Sequence, residues 1–328
     1  MKRPLRSSPR SAKPLRTVSI IGTGSYLPKK ILTNADLSRM VHTSDDWIIT
    51  RTGIKERRIA AKDENTSDMA AEAALKAIEQ AKISPKDINL ILVATATPDM
   101  LFPATACFVQ KKIGAINAAC LDISAACAGF LFGLEIAQQF ITSNTHDTVL
   151  VIGAEKLTSI TKWTDRKTCV LFGDGAGVIS THIGSDGRYS DILFMPGGGS
   201  RCPITRDNVD LNLATIHMTG KEVYKQAVTA MLNAAKKALE QAGLSIEDIA
   251  CVIPHQANVR IIEAIADRLR IPLDRFYVNL DRYGNTSAAA VAIALDEANR
   301  SGRIKPGDYI LMVVFGGGLT WASTIIEW

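Results

Sequence analysis

The chain has 328 residues, of which 47% are hydrophobic and 22% charged, a balance that excludes disordered, collagen-like and coiled-coil proteins. No uninterrupted apolar run reaches the roughly 18 residues of a membrane span, and six cysteines are too sparse for a disulfide scaffold. The net charge of +5 comes from residues 1–16, which carry six cations and no acid, so the near-neutral remainder gives no indication of nucleic acid binding.

Residues 1–16 are predicted to form a disordered basic extension. Pro4, Pro9 and Pro14 would interrupt an amphipathic helix, and the segment lacks the apolar core of a secretory signal. A transit peptide is the alternative, since the segment is rich in arginine and free of acids. Because nothing indicates secretion, the sequence predicts a cytoplasmic protein.

The rest of the chain has the pattern of α-helices alternating with apolar strands. In chain order, strands are predicted at 17–28, 88–98 and 148–155, and helices at 70–81 and 127–141. Continuous apolar strands between helices are typical of a parallel or mixed sheet that is covered on both faces. The predicted fold class is therefore α/β.

An internal duplication organises the chain. KAIEQAKISPKDI (76–88) aligns with KALEQAGLSIEDI (237–249) at a constant offset of 161, with eight of thirteen positions identical. Each copy has the pattern of a helix that leads into a strand, and the period is too long for a solenoid. We predict two related α/β halves, residues 17–190 and 212–328, with an exposed connection over 195–212 and a functional site between the halves.

Cys127 is the candidate nucleophile. It lies in DISAACAGFLFG (122–133), where a strand-like segment is followed by an apolar helix. The positive end of a helix dipole favours a thiolate, although a buried thiol in a tight turn fits this segment equally well. The other cysteines form no C-x-x-C pair, so the sequence predicts no metal site.

His255 and Asn285 are candidate partners of this thiol. His255 follows the strand of the second repeat, at the position that Ala94 holds in the first, which points to a crevice shared by the halves. Asn285 by itself is more typical of a turn or cap. Cys, His and Asn together fit either a papain-like protease or acyl transfer followed by carbon–carbon bond formation. The protease alternative lacks its Cys-Trp surroundings, signal peptide and disulfides.

The motifs around these residues resemble the β-ketoacyl-[acyl-carrier-protein] synthase III family of thiolase-fold condensing enzymes, from about residue 17 to the end. They are DDWIITRTGIKERR (45–58), AACAGF (125–130), TDRKT (164–168), LFGDGAG (171–177), VIPHQANVRII (252–262), RYGNTSAA (282–289) and FGGGLTW (315–321). The resemblance implies a thiolase-like fold of five αβαβα layers from two duplicated halves. It implies an acyltransferase that condenses an acyl-CoA primer, acetyl-CoA or a similar short acyl group, with malonyl-acyl carrier protein. Release of CO2 and CoA through an acyl-Cys127 intermediate would give 3-oxoacyl-acyl carrier protein and initiate fatty-acid biosynthesis.

The same resemblance implies roles for individual residues. Cys127, His255 and Asn285 would be catalytic. The N–H groups of Cys127 and Gly317 would form an oxyanion hole, and Phe315 would keep the malonyl carboxylate poorly solvated. The residues that would bind CoA are Trp47, Arg51, Thr52, Arg166, Gly220 and Asn258, with Trp47 and Arg166 on either side of the adenine.

Partners are also implied by the resemblance. Lys225 and Arg260 would dock the acidic carrier protein, and Phe102 would reach the primer pocket of the partner subunit in a homodimer. No cofactor, nucleic acid or membrane partner is implied. Two departures from the family pattern are Asp267-Arg268, where two adjacent basic residues are frequent, and Lys167, where a small residue is common.

Two alternatives stay open beside fatty-acid initiation. One is a secondary-metabolite synthase or acyltransferase of the same fold with another acceptor. The other is a catalytically silent partner subunit, against which the complete Cys-His-Asn set counts. The length and branching of the primer are not determined by the sequence, because acyl groups that differ by a methylene differ by only about 0.8 kcal/mol on burial.

Overall fold

The computed structural model describes residues 17–177, 182–185 and 187–328, and the predicted basic extension over 1–16 lies outside them. The strands are β1 (Ser25–Tyr26), β2 (Lys30–Thr33), β3 (Glu56–Ile59), β4 (Leu90–Ala94), β5 (Ala119–Ile123), β6 (Val149–Glu155), β7 (Gly175–Gly177), β8 (His182–Ser185), β9 (Leu193–Phe194), β10 (His217–Met218), β11 (Ile249–Pro254), β12 (Tyr309–Gly316) and β13 (Thr320–Glu327). The α-helices are α1 (Asn34–Met40), α2 (Asp45–Thr52), α3 (Thr66–Ala81), α4 (Thr105–Ile113), α5 (Gly129–Thr142), α6 (Gly220–Ala242), α7 (Val259–Leu269), α8 (Leu280–Tyr283) and α9 (Ala289–Arg300). Within these described ranges, no helix is long and apolar enough to cross a membrane.

Two mixed sheets form the framework of the fold. The strand order is β1-β7-β6-β4-β5 in the first sheet and β11-β12-β13-β8 in the second. Strand β4 pairs in parallel with β5 and β6, and β11 pairs in parallel with β12. Helices α3 and α4 cover the first sheet, α6 covers the second with α7 beside it, and α5 and α9 contact both sheets from between them. These five αβαβα layers confirm the predicted fold class.

The two sequence repeats adopt the same local structure. Helices α3 and α6 are each followed by a left-handed residue, Lys82 and Gly243, and then by a short 3-10 turn that leads into β4 or β11. At those turns the Asp87 carboxylate accepts a hydrogen bond from the N–H of Ser84, and Asp248 does the same for Ser245, both at 2.8 Å. The offset of 161 therefore relates matching structure as well as matching sequence.

Sheet membership differs from the predicted division of the chain. Strand β8 pairs antiparallel with β13 and so lies in the second sheet, although the prediction assigned everything up to residue 190 to the first half. The bounds of the two halves, 17–190 and 212–328, stay a prediction. The chain over 195–212 is mostly exposed, as predicted for the connection.

The predicted strand over 17–28 is wrong for most of its length, because only Ser25–Tyr26 is paired, with β7. Side-chain bonds hold the preceding residues instead. The Thr23 hydroxyl lies 3.0 Å from an oxygen of Gln80 on α3 and 2.7 Å from a carboxylate oxygen of Asp296 on α9. The apolar pattern of this segment thus reflects packing against helices rather than a long strand.

Alanine-rich α9 positions the loop that precedes it. Nearly all of its residues are buried, and its small side chains allow a close approach to the first sheet. A Cβ atom on Gly153 of β6 would lie 2.4 Å from the backbone oxygen of Ala288. This contact places the loop over 285–288 against the carboxyl end of β6, where the candidate site lies.

Candidate active site

A cavity of about 940 Å³ is lined by residues of both halves. Cys127, His255 and Asn285 all line it, so the structure brings the three candidate catalytic residues together. They belong to three different segments: the turn before α5, the loop after β11, and the loop between α8 and α9. In the part of the chain that the structure describes, no group of His, Cys, Asp and Glu side chains could hold a metal ion.

Cys127 lies in a 3-10 turn over Ala126–Ala128, directly ahead of α5. The preceding Ala126 has a φ of +44°, a left-handed conformation that is costly for a residue with a Cβ atom. Burial raises the pKa of the Cys127 thiol to about 12, against a lowering contribution from the Ser287 hydrogen bond. The resting sulfur is therefore a thiol, and nucleophilic attack requires a group that removes its proton.

The carboxyl end of β12 lies against this turn. A Cβ atom on Gly316 would be 2.8 Å from the backbone nitrogen of Cys127, so only glycine allows the strand to come so close. Gly317 and Phe315 both line the cavity beside Cys127, and Phe315 is buried. The predicted oxyanion-hole residues and the predicted aromatic shield are thus neighbours of the thiol.

His255 is held rigidly at the end of β11. Its backbone N–H donates to the oxygen of Val313 at 2.8 Å, and the side chain is only 4% exposed. Its Nδ1 atom is buried and without a hydrogen-bond partner in the described part of the chain, which leaves Nε2 for a substrate. Burial lowers the pKa of His255 to about 4, so the imidazole is neutral at physiological pH and can donate one hydrogen bond.

Asn285 is fixed on both sides by backbone bonds. Its N–H donates to the oxygen of Leu171 at 2.8 Å, and its own oxygen accepts from the N–H of Gly173 at 3.1 Å. The Oδ1 atom accepts from the N–H of Ser287 at 2.9 Å. Because the amide oxygen is used internally, the amide nitrogen is the group that Asn285 offers to the cavity, as a second donor beside His255.

We expect His255 to destabilise the folded chain in acid. Its pKa is 6.5 in an unfolded chain and about 4 when folded. The free energy of unfolding therefore falls by about 3 kcal/mol in total as the pH drops from 6.5 toward 4. Above pH 6.5 this histidine does not change it. Urea unfolding of wild type and His255→Asn at about pH 7.5 and about pH 4.5 measures this. If wild type and His255→Asn differ in free energy of unfolding by the same amount at both pH values, the expected role of His255 is contradicted.

Trp47 and two arginines form the outer part of the cavity. The guanidinium carbons of Arg51 and Arg166 lie 4.8 and 4.7 Å from the centroid of the Trp47 ring, in cation–π contact. Arg166 also donates to the backbone oxygen of His42 at 3.0 Å. At 4.7 Å no base fits between Arg166 and the indole, so the guanidinium must move aside before an adenine can stack there.

The other residues predicted to bind CoA all line the cavity, but two of their side chains are already bonded to backbone oxygens. Thr52, Gly220 and Asn258 line the cavity, but the hydroxyl of Thr52 donates to the oxygen of Ile48 at 2.7 Å. The amide of Asn258 donates to the oxygen of Arg51 at 3.1 Å and caps α7. Asn258 thus holds α2 against α7, whereas the hydroxyl of Thr52 is bonded within α2.

The residues predicted to contact the carrier protein or the partner subunit are exposed on the surface. Arg260 lines the cavity mouth, and Lys225 is exposed on the adjacent α6. The hydroxyl of Tyr224 donates to the backbone oxygen of Arg260 at 3.4 Å, which joins α6 to α7. Phe102 is 84% exposed and is not among the lining residues of the cavity in its own chain.

Two residues near the thiol escaped the sequence analysis. Glu155 ends β6 in complete burial, and Ser287 follows the candidate Asn285 by two positions. The signal for Glu155 was a single acid at the end of the apolar segment TVLVIGAE (148–155). No local signal marked Ser287, because its importance comes from the contacts that folding creates.

Comparisons with known proteins agree with this architecture. Residues 121–192 match the family model described as 3-oxoacyl-[acyl-carrier-protein (ACP)] synthase III, and residues 239–328 match its C-terminal model. The chain is 57% identical over 321 residues to the beta-ketoacyl-[acyl-carrier-protein] synthase III of Caldanaerobacter subterraneus subsp. tengcongensis, covering 94% of this chain and 97% of that protein. It is 51% identical over 320 residues to the protein of that name from Clostridioides difficile, covering 94% and 98%.

Solved structures give the same result. The 3-oxoacyl-[acyl-carrier-protein] synthase III from Aquifex aeolicus VF5 superposes with a TM-score of 0.87 at 48% identity, covering 94% of this chain and 99% of that one. The priming beta-ketosynthase from the R1128 polyketide biosynthetic pathway superposes with a TM-score of 0.89 at 35% identity, covering 97% and 98%. This chain therefore belongs to the β-ketoacyl-[acyl-carrier-protein] synthase III family of thiolase-fold condensing acyltransferases, which act in fatty-acid synthesis.

Proposed function

We propose that the protein condenses an acyl-CoA primer, acetyl-CoA or a similar short acyl group, with malonyl-acyl carrier protein. The products are 3-oxoacyl-acyl carrier protein, CoA and CO2, and the reaction initiates fatty-acid synthesis. One observation carries this proposal: Cys127, His255 and Asn285 line the same cavity as Trp47 and its two arginines. A nucleophile is thus connected by one continuous space to a site suited to a charged nucleotide. Since its substrates are acyl-CoA and a carrier protein, we propose a cytoplasmic location.

In the first half-reaction the sulfur of Cys127 attacks the thioester carbonyl of the primer. The N–H groups of Cys127 and Gly317 stabilise the negative oxygen of the tetrahedral intermediate, and one such donor contributes about 3 kcal/mol. CoA then leaves, and the acyl group stays on sulfur. No resident cofactor enters this chemistry, because both thioesters are substrates.

In the second half-reaction the malonyl thioester places its carbonyl oxygen between His255 and Asn285. Loss of CO2 generates a carbanion without a strong base, because cleavage of a carbon–carbon bond replaces deprotonation. The two neutral donors stabilise the enolate, and buried Phe315 keeps the departing carboxylate poorly solvated. The enolate carbon then attacks the acyl group on Cys127.

The test is incubation with a panel of acyl-CoAs in the absence of malonyl carrier, followed by intact mass measurement and peptide mapping. We expect one acyl adduct on Cys127, whose added mass identifies the preferred primer. A Cys127 that stays unmodified with every acyl-CoA would reject the proposed function and favour the silent-subunit alternative.

Trp47→Ala is expected to raise the KM for acyl-CoA by roughly 10-fold, because stacking of a base on an aromatic ring is worth about 1–3 kcal/mol. The rate of acylation at saturation should change little, since the proposed role of Trp47 is to bind the nucleotide, which takes no part in bond formation. Acyl-pantetheine, which lacks the nucleotide, is the control primer, and its KM should be the same for both proteins. An equal rise in KM with that primer would contradict base stacking at Trp47.

The carrier protein that accepts the acyl group distinguishes fatty-acid initiation from a second candidate function. The likeness to a priming ketosynthase of a polyketide pathway, with a TM-score of 0.89, favours a specialised carrier protein as that alternative. Lys225 and Arg260 give α6 and α7 exposed positive charge near the cavity mouth, suited to an acidic carrier protein. Condensation rates with the fatty-acid carrier protein and with a polyketide carrier protein decide between the two.

We propose in addition that the active protein is a homodimer. Leu101, Phe102 and Ile116 are 86%, 84% and 70% exposed, an unusual amount of apolar surface for a monomer. Ile116 directly precedes β5, the edge strand of the first sheet. Leu101 and Phe102 precede α4, which packs against that strand. Such an edge is available for pairing with a second copy, and Phe102 would then reach the partner's primer pocket.

Leu121→Lys on β5 is expected to convert the dimer into a monomer, because it places a charge on an exposed apolar position of the edge strand. Sedimentation velocity measures the change. Leu273→Lys is the matched control, since Leu273 is similarly exposed but lies in the second half. A wild-type protein that sediments as a monomer, or a dimer that survives Leu121→Lys, would contradict an interface at β5.

A further inference from the structure

Arg57 is a buried cation in the motif DDWIITRTGIKERR (45–58) that the reaction described above does not use. It is 0% exposed, and burial lowers its pKa only to about 10, so the side chain is charged at physiological pH. Among the described residues its hydrogen bonds all go to neutral oxygens, and its Nε atom has no partner. A buried charge that is bonded to no carboxylate is costly, so its contacts should explain why a cation lies here.

The two ends of the guanidinium hold different parts of the chain. Nη1 donates to Oδ1 of Asn34 at 2.8 Å and to the backbone oxygen of Leu32 at 3.2 Å. Nη2 donates to the backbone oxygen of Val170 at 2.8 Å, across 113 positions of the sequence. A planar guanidinium bonds to acceptors on two sides at fixed angles, which the ammonium of a lysine cannot do. Arg57 therefore joins β2 and the start of α1 to the segment that contains Val170.

Two backbone partners of Asn285 lie in the segment that Arg57 holds. The oxygen of Leu171 accepts from the N–H of Asn285 at 2.8 Å, and the N–H of Gly173 donates to the oxygen of Asn285 at 3.1 Å. Val170, whose oxygen is bonded to Arg57, directly precedes Leu171. The position of the Asn285 amide group therefore depends on a segment that the buried arginine fixes.

The base of the Arg57 side chain also packs against the residues beside Asn285. A Cβ atom on Gly173 would lie 3.1 Å from Cβ of Arg57, and one on Gly284 would lie 3.3 Å from it. Gly284 directly precedes Asn285. Arg57 thus supports the Asn285 loop in two ways, through its guanidinium at Val170 and through its Cβ at the two glycines.

Asn34 fixes the guanidinium in turn. Its Nδ2 atom donates to Oδ1 of Asp45 at 2.9 Å and to the backbone oxygen of Ile54 at 2.8 Å, so its own Oδ1 is left to accept from Arg57. The asparagine is 1% exposed. Asp45 begins α2, and the same amide therefore anchors the helix that carries Trp47.

The strength of a hydrogen bond from Asn285 depends on its direction, because such bonds weaken steeply when they are bent. We propose that Arg57 is a positioning residue for Asn285, which holds the amide nitrogen in the direction required to donate to the malonyl carbonyl. This inference rests on the proposed function, in which Asn285 stabilises the enolate of the second half-reaction. Arg57 is not among the described residues that line the cavity, so it acts through the segments that it holds.

Arg57→Lys tests this role, because a lysine keeps the cationic group but cannot bond to both Asn34 and Val170. We expect acylation of Cys127 by acyl-CoA to stay close to the wild-type rate. Decarboxylation of the malonyl carrier protein should fall by roughly 10-fold, since a small misplacement of a group that contacts the transition state is costly. In the background of Asn285→Ala, Arg57→Lys should cause no further loss, because the group that it positions is already absent.

Arg275→Lys is the matched control. Arg275 also donates to two backbone oxygens, those of Glu247 and Ile249, at 3.4 and 3.3 Å, and its variant should keep both wild-type rates. If Arg57 only stabilised the fold, Arg57→Lys would slow both half-reactions alike, and its effect would add to that of Asn285→Ala. Either of these results, or an unchanged rate of decarboxylation, would overturn the inference.

Hydrogen exchange measures the positioning without any substrate. In Arg57→Lys we expect the backbone N–H groups of Gly173 and Asn285 to exchange faster than in the wild type, because their bonds open more often. Unchanged exchange at both groups would overturn the inference. A wild type that is neither acylated nor active in decarboxylation would reject the proposed function, and faster exchange in the variant would still support the positioning. If Arg57→Lys does not fold, Asn34→Ala, which removes one acceptor of the guanidinium, is judged by the same criteria.

Discussion

Cys127→Ala is expected to abolish acyl transfer from CoA and to lower condensation by roughly 10³-fold or more. Among the described residues that line the cavity, Cys127 supplies the only thiol, so no neighbouring group can replace it as the acyl carrier. Decarboxylation of the malonyl thioester should persist in this variant, because His255 and Asn285 are unchanged. Intact mass measurement detects the lost adduct, and release of labelled CO2 from malonyl carrier measures the surviving step.

Two further variants sharpen this experiment. Cys107→Ala removes a half-buried thiol on α4 and should keep both the adduct and the condensation rate. Cys127→Ser keeps a hydroxyl at the same position but should be about as inactive as alanine, because a serine hydroxyl is a weak nucleophile unless a base activates it. An acyl adduct that forms on Cys127→Ala would place the nucleophile elsewhere and remove the basis of the proposed mechanism.

Acylation and decarboxylation are expected to respond separately to substitution, because their proposed residues come from different halves of the chain. The nucleophile belongs to the turn before α5 in the first half, whereas His255 follows β11 in the second half. The first repeat has Ala94 where the second has His255, so only one copy of the duplicated strand carries the donor. In the proposed mechanism the two halves therefore supply different chemistry.

The layered fold could be predicted because its signals are local and repeated. Helix and strand periodicity, together with the 161-residue offset, were sufficient for the duplicated α/β architecture. The pairing of β8 with β13 could not be predicted, because it joins residues that are far apart in sequence. The segment before Ser25 was taken for a strand because its apolar pattern does not distinguish a strand from chain packed on helices.

The candidate site could be predicted where a residue is recognisable from its own motif. Cys127, His255 and Asn285 lie in distinctive segments, and all three line the cavity. Thr52 lines the cavity too, but the sequence could not reveal that its hydroxyl is bonded within α2. The hydroxyl of Thr97 donates to the carboxylate of Glu155 across 58 positions of the sequence, so no local pattern indicates this bond.

Burial explains why His255 is neutral. An imidazolium would place a positive charge where burial penalises it, and that penalty lowers the pKa of His255 to about 4. A neutral ring can still donate from Nε2 to a carbonyl that becomes an enolate. Since the pKa of His255 is about 4, the ring can donate this hydrogen bond throughout the physiological pH range without a change of charge.

Replacing His255 is expected to have the opposite effect from Cys127→Ala: acylation should persist and decarboxylation should be lost. His255→Ala should be acylated on Cys127 by acyl-CoA at close to the wild-type rate, since the imidazole takes no part in the proposed first step. Decarboxylation and condensation should fall by roughly 10²–10³-fold, the usual cost of losing one donor to a developing oxyanion. Asn285→Ala should behave in the same way, with an additional loss of stability because Oδ1 of Asn285 accepts from the N–H of Ser287.

The two half-reactions, measured on the same preparations, make this outcome decisive. Single-turnover acylation followed by mass gives the first rate, and release of labelled CO2 gives the second. If His255→Ala lost acylation as completely as decarboxylation, the histidine would be the base for the thiol, and its proposed restriction to the second half-reaction would be wrong. If acylation survives while CO2 release fails, His255 is not the base for the thiol, and its role is confined to the malonyl thioester.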